Sequence, residues 1–269
     1  MAHLTIWPSC AAGPVVTFAE HTVRMTRQRT VRVISAAAAL AVVAACGHGP
    51  AQPSTVVTTL SATRFLAFGD SMTAGKVASG VIDASISYPT QLLSMLQHQY
   101  ATQAFMMTND GLNNETAADY GLGGGVTRLD PELVRYQPEV LLLLEGANDL
   151  NAGGAANIPT AIQALQTMIR TARARNVRVV IATLPPQIAQ PPGAIVRSNS
   201  AALVAPFNAQ LIQMASSEQT PVVDLYTGML PRVTDWIDTD GLHPNAAGYQ
   251  QMAGLFLTTV SSTFVNRFN

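Results

Sequence analysis

Charge is scarce in this chain: 12% of its 269 residues are Asp, Glu, Lys or Arg, against 48% hydrophobic residues. The formal net charge is -1 and the one lysine is Lys76, so there is no basic field with which to hold a polyanion. Nucleic acid is therefore not an expected partner. Cysteine is scarcer still. Its two copies, Cys10 and Cys46, both lie near the N-terminus, and neither has a Cys or His at a metal-ligand spacing, which argues against a structural disulfide or zinc site. The histidines, His3, His21, His48, His98 and His243, are scattered, so any metal site would need its ligands gathered by the fold. No metal or other cofactor is expected. An internal repeat is also lacking.

What is present begins with an address. From Met25 the chain reads MTRQRTVR, then VISAAAALAVVAA, then Cys46: a basic segment, a short apolar segment and small residues, the layout of an export signal. The apolar stretch 33–45 falls short of the roughly twenty residues that cross a hydrocarbon core. Val43-Ala44-Ala45-Cys46 resembles the lipobox of bacterial lipoproteins, which implies cleavage before Cys46, lipid attachment to its sulfur and an anchor on the outer face of the cell membrane. The competing reading is an ordinary cleaved signal and a secreted product. Residues 1–24 precede this signal, lack an apolar period and read as an upstream extension; 25–45 read as the signal. Residues 46–61, rich in Gly, Pro, Ser and Thr, read as a tether. The remainder, 62–269, is long enough for one sizeable core and short for two. Without residues 1–45 the chain keeps eleven basic and fifteen acidic residues, a balance that suits a soluble surface.

Within 62–269 apolar runs and amphipathic periods alternate. Arg64–Phe68, Ala104–Thr108, Val140–Leu144, Val177–Ala182 and Pro221–Leu225 read as strands, and the unbroken VLLLL suits a strand covered on both faces. Helices are expected over Tyr88–Tyr100, Asn157–Asn176, Ser198–Ser217 and Pro244–Phe264, the second from Ile158, Ile162, Leu165 and Ile169 at helical spacing. The alternation predicts an α/β fold, a single three-layer α/β/α domain with a mainly parallel, flavodoxin-like sheet. Ligands should gather at the carboxyl ends of the strands. The Pro-rich loop Pro185–Pro192 is either a wall or lid there or a plain connector.

Four polar segments fall at such ends. Gly69-Asp70-Ser71-Met72-Thr73-Ala74-Gly75 follows the first strand, where a turn would expose a serine hydroxyl beside a base; Ser71 could equally cap a helix. Asp240-Gly241-Leu242-His243-Pro244-Asn245 offers an imidazole with a carboxylate three residues earlier that can reach one ring nitrogen. Asp238 is the spare candidate for that carboxylate, and turn and cap roles are the competing reading. Gly146-Ala147-Asn148-Asp149 ends the VLLLL strand and supplies a side-chain amide suited to a developing oxyanion. Glu145 beside it would titrate abnormally if buried. The fourth segment is Asn109 to Thr116.

Together these segments resemble the four signature blocks of the SGNH/GDSL hydrolases over Phe65 to Tyr249. The resemblance implies Ser71 as nucleophile, His243 as base, Asp240 as orienter, and an oxyanion hole from the N–H of Ser71, the amide of Asn148 and one further N–H. For that last donor the family carries a glycine where this chain has Asn114; Asn tolerates positive φ, so the N–H can be kept, and an offset in which Gly111 serves is the alternative. The implied activity is hydrolysis of small acyl esters or acylated glycans without a cofactor. Acyl transfer or deacetylation on an envelope polysaccharide is the rival within catalysis, and a binding lipoprotein that has lost the chemistry is the rival outside it. Neither acyl chain length nor oligomeric state follows from the residues.

Overall fold

The computed structural model describes residues 58–266 apart from 194 and 195, and not the side chain of residue 198. Cys46, the signal at 25–45, the extension at 1–24 and most of the tether lie outside the described residues. Seven strands are present among them: β1 (Thr59–Leu60), β2 (Arg64–Gly69), β3 (Met106–Gly111), β4 (Val140–Leu144), β5 (Arg178–Ala182), β6 (Val222–Val223) and β7 (Val265–Asn266). The α-helices are α1 (Ser71–Ala74), α2 (Tyr88–Gln99), α3 (Gly125–Tyr136), α4 (Ala147–Gly153), α5 (Ile158–Ala174), α6 (Ser198–Ser217), α7 (Leu225–Met229), α8 (Val233–Trp236) and α9 (Ala246–Phe264).

Five strands form one parallel sheet in the order β3-β2-β4-β5-β6, the doubly wound order expected of this class. Every residue of β4 is buried because helices cover both faces of the sheet. The chain turns one way from β2 to β3 and the other way from β3 onward, so right-handed crossovers put α2 on one face of the sheet and α3, α5 and α6 on the other. Accordingly α2 packs with α9, while α3 packs with α5 and α5 with α6. Leu66, Leu141, Leu142 and Phe256 are among the fully buried side chains at these interfaces. The reversal of direction opens a crevice at the carboxyl ends of β2 and its neighbours.

The differences from expectation have local causes. Strand β3 is shifted to Met106–Gly111, so the polar Asn109 and Asp110 pair with Ala67 and Phe68; as an edge strand it can turn such side chains outward, Asn109 to Ser87 Oγ and Asp110 to Arg128. Only Val222–Val223 of the expected last strand is extended, because Asp224 caps α7, its side chain accepting from Thr227 N–H. Helix α3 carries Pro131 inside it, a local signal against helix that its packing on α5 overrides. Thr59–Leu60, in the stretch read as tether, pairs antiparallel with Val265–Asn266.

Candidate active site

Ser71 stands at the first position of α1, two residues after the end of β2, and the intervening Asp70 caps that helix by accepting from Met72 N–H at 2.8 Å. Cap and nucleophile candidate are therefore neighbours, and the helix cap that was the competing reading for Ser71 is made by Asp70. His243 comes from a tight loop before α9. Its flanks are closed by Asp238 N–H to His243 C=O at 2.8 Å and Asn245 N–H to Trp236 C=O at 3.0 Å, and Asn245 caps α9 through its side chain.

These two turns meet. Ser71 Oγ lies 3.0 Å from His243 Nε2, and His243 Nδ1 lies 2.6 Å from Asp240 Oδ2. The other carboxylate oxygen of Asp240 accepts from the N–H groups of Leu242 and His243 at 2.9 and 3.0 Å. Burial pushes the Asp240 carboxyl up, but the bonds from the His243 ring and from these two N–H groups outweigh it and hold the pKa down to about 2. An ionised acceptor on Nδ1 fixes the tautomer that leaves Nε2 free to take a hydroxyl proton. Asp238, the spare candidate, is occupied elsewhere, accepting from Ala78 and Thr239 N–H groups.

The oxyanion candidates lie on two neighbouring turns. Asn148 is at the start of α4, and its amide donates to Glu115 C=O at 2.7 Å; the second amide hydrogen has another direction to serve. That bond ties the β4–α4 turn to the segment bearing Asn114, whose φ of 66° is the left-handed conformation a glycine would take there. Gly111 does not fit the donor role. Its N–H is engaged by Asn109 Oδ1 at 3.1 Å, and a Cβ there would strike the backbone of Ala74, so this glycine serves the close approach of β3 to α1.

Beneath the site the structure buries several carboxyls. Glu145 is fully buried with neither carboxyl oxygen hydrogen-bonded among the described residues, and burial, reinforced by Asp70 and Glu115, pushes its pKa well up. Asp70 is raised to about 7, chiefly by burial and against the pull of Met72 N–H. Asp149 is raised by burial although it accepts from Ala117, Ala118 and Tyr120. Glu115 is instead paired with Arg128 at 2.5 Å, and Arg128 also reaches Asp110 at 2.6 Å, clamping the Asn114 segment to β3.

Two groups escaped sequence reasoning. Arg197 donates through Nε to Asp240 C=O and has Nη2 3.8 Å from Asp240 Oδ2; its position just before α6 carries no motif. Asp149 fixes residues 117, 118 and 120 from about 30 residues away, which no local pattern announces. The Pro-rich loop is neither plain connector nor free lid: Ile188 N–H bonds Gly241 C=O and Gly193 N–H bonds Thr239 C=O, both at 2.9 Å, so it braces the loop that carries Asp240. Among the described residues no group of three or more His, Cys, Asp or Glu side chains could hold a metal ion.

A doubly wound α/β domain with a serine, a histidine and an aspartate linked by hydrogen bonds at its carboxyl edge has the arrangement that serine hydrolases use. More narrowly, the chain belongs to the GDSL-like Lipase/Acylhydrolase family, whose family model matches residues 67–251. Similar solved structures include a lipase/acylhydrolase from Enterococcus faecalis, 21% identical, covering 77% of this chain and 100% of that one with a TM-score of 0.62. A carbohydrate acetylesterase family member from Sinorhizobium meliloti is 18% identical over 74% of this chain and 98% of that one, TM-score 0.61. An aryl esterase of M. smegmatis is 19% identical over 75% and 99%, TM-score 0.61. At these identities the likeness is one of fold. No curated protein matches the chain.

Proposed function

We propose that this protein is a serine ester hydrolase that cleaves small acyl esters through an acyl-Ser71 intermediate. The observation that carries the reading is the unbroken line from Ser71 Oγ to His243 Nε2 at 3.0 Å and from His243 Nδ1 to Asp240 Oδ2 at 2.6 Å. Ser71 Oγ attacks the ester carbonyl as His243 Nε2 takes its proton, and the Asp240 carboxylate steadies the imidazolium. The oxyanion is held by the N–H groups of Ser71 and Asn114 with the Asn148 amide. Collapse expels the alcohol, which receives the proton from His243. Water, deprotonated by His243, then attacks the acyl-enzyme; the acid leaves and Ser71 regains its proton.

The carbohydrate acetylesterase and aryl esterase among the similar structures support small esters of sugar or aryl alcohols as the substrate class. Hydrolysis of p-nitrophenyl acetate by the purified protein and its Ser71→Ala variant tests the reading. Turnover should vanish in the variant; equal turnover by both proteins would sink it. We also propose that the protein is exported and lipid-anchored through Cys46, with 25–45 as its signal, a tether from Cys46 that ends before β1 at Thr59, and the catalytic domain following. No helix of the described residues is long and apolar enough to cross a membrane. Labelling with a fatty-acid analogue should mark the parent and miss Cys46→Ala; equal labelling would refute the anchor.

A further inference from the structure

The loop between β3 and α3 displays three large apolar side chains that the core does not take up. Leu112, Tyr120 and Leu122 are 49%, 41% and 98% exposed, and all three line one open cleft of about 680 Å³ that also contains Asn114. The display is built into the loop. Tyr120 is pinned by its hydroxyl to Asp149 at 3.0 Å. Leu122 sits between Gly121 and Gly123, both at positive φ, whose N–H groups are gathered by Asp119 Oδ1 at 2.7 and 3.0 Å. A polar turn thus spends its hydrogen bonds on holding a leucine out in water, which costs solvation free energy until something apolar covers it.

The reaction geometry says which half of the ester that is. This step rests on the ester-hydrolase reading above. The leaving oxygen must receive its proton from His243 Nε2, so the alcohol half lies on the His243 side of Ser71. His243 enters from the N-terminal end of α9, on the sheet face that α9 shares with α2. The cleft meets the site at Asn114, which lines it, and runs between the β3–α3 loop and the end of α4, where Ala152 and Gly153 line it; α3, which gives it Thr127 and Arg128, packs with α5 and not with the α2–α9 pair. An acyl group with its oxygen at the Asn114 N–H and its alcohol half toward His243 would leave along the Asn114 side, where this cleft begins.

We propose that the cleft is the acyl subsite, and that Leu112, Tyr120 and Leu122 make the protein prefer acyl chains of several carbons over acetyl. Full burial of a methylene would raise kcat/KM about fourfold, and partial burial on an open shelf about twofold. The test is kcat/KM for p-nitrophenyl acetate, butyrate, hexanoate and octanoate with the full chain, its Leu112→Ser/Leu122→Ser double variant, and Val134→Ser as a control on an exposed α3 position. The parent and the control should gain about twofold or more per methylene, and the double variant should lose at least about tenfold in its octanoate-to-acetate ratio. A Ser71-dependent parent that shows no gain with chain length, or a gain that survives in the double variant, overturns the acyl subsite and leaves the hydrolase reading standing. Absence of Ser71-dependent turnover for every ester overturns both.

Discussion

Replacing Asp70 by asparagine should flatten the pH dependence of stability. Asp70 is fully buried beside Ser71, one oxygen accepting from Met72 N–H and the other without a hydrogen bond among the described residues, and its pKa rises from 3.8 to about 7. Below pH 3.8 it is protonated in both the folded and the unfolded chain. As pH rises from there, the unfolded chain releases a proton that the folded protein keeps, so stability is lost until the folded group also ionises near pH 7. At about 1.4 kcal/mol per pH unit, the interval from 3.8 to about 7 amounts to about 4 kcal/mol, a large part of the roughly 5–15 kcal/mol typical of a domain. An asparagine side chain in this place would keep an oxygen for the Met72 N–H and cannot ionise. The stability of Asp70→Asn relative to the parent should therefore grow by about 4 kcal/mol between about pH 4 and pH 8, or about 2 M in urea midpoint at an m of about 2 kcal/mol/M. Glu145 and Asp149 are common to both proteins and drop out of the difference to first order. A difference constant within about 1 kcal/mol across that range would refute the buried, proton-holding Asp70.

Four further outcomes follow from the same geometry. Asn148→Ala should lower kcat about 10²- to 10³-fold with a folded circular-dichroism spectrum; unchanged kcat would remove Asn148 from the oxyanion hole. Asn114→Gly should keep its turnover because the donor is a backbone N–H, whereas Asn114→Val, β-branched at φ 66°, should unfold at lower urea by about 1–3 kcal/mol; equal midpoints for the two would contradict the left-handed conformation. Arg197→Gln should lower kcat about 10- to 100-fold with KM kept, through a displaced Asp240, and Arg197→Lys, lacking the fork, should recover only part of it; parental kcat in Arg197→Gln would show that the Asp240 loop stands without it. Gly146→Ala places a Cβ at φ 119° against the Phe207 ring and should cost about 1–3 kcal/mol in urea denaturation at unchanged m, an effect absent if that turn can relax.

The alternation of apolar runs and amphipathic periods dictated the α/β class, because a strand buried on both faces must be apolar throughout and a helix lying on a sheet must be apolar on one side. Short motifs marked Ser71, Asp240 and His243, and their resemblance to the signature blocks of the SGNH/GDSL hydrolases implied the proposed roles; a serine at a strand-to-helix turn and a histidine with a carboxylate three residues back are local arrangements and so show in the sequence. Helix α3, with Pro131 inside it, was not legible, since its stability comes from packing on α5 rather than from its own residues. Nor was the polar half of the edge strand β3, which is held by Arg128 and Ser87 from elsewhere in the chain. Only the folded chain could show that Asp240 and not Asp238 bonds the His243 ring and that the Gly111 N–H is already engaged, because both turn on which hydrogen bonds are made. Arg197 behind Asp240, the proton-holding carboxyls under Ser71 and the apolar shelf of Leu112, Tyr120 and Leu122 belong to the tertiary structure alone: burial and distance between residues far apart in sequence create them, and no local pattern encodes either.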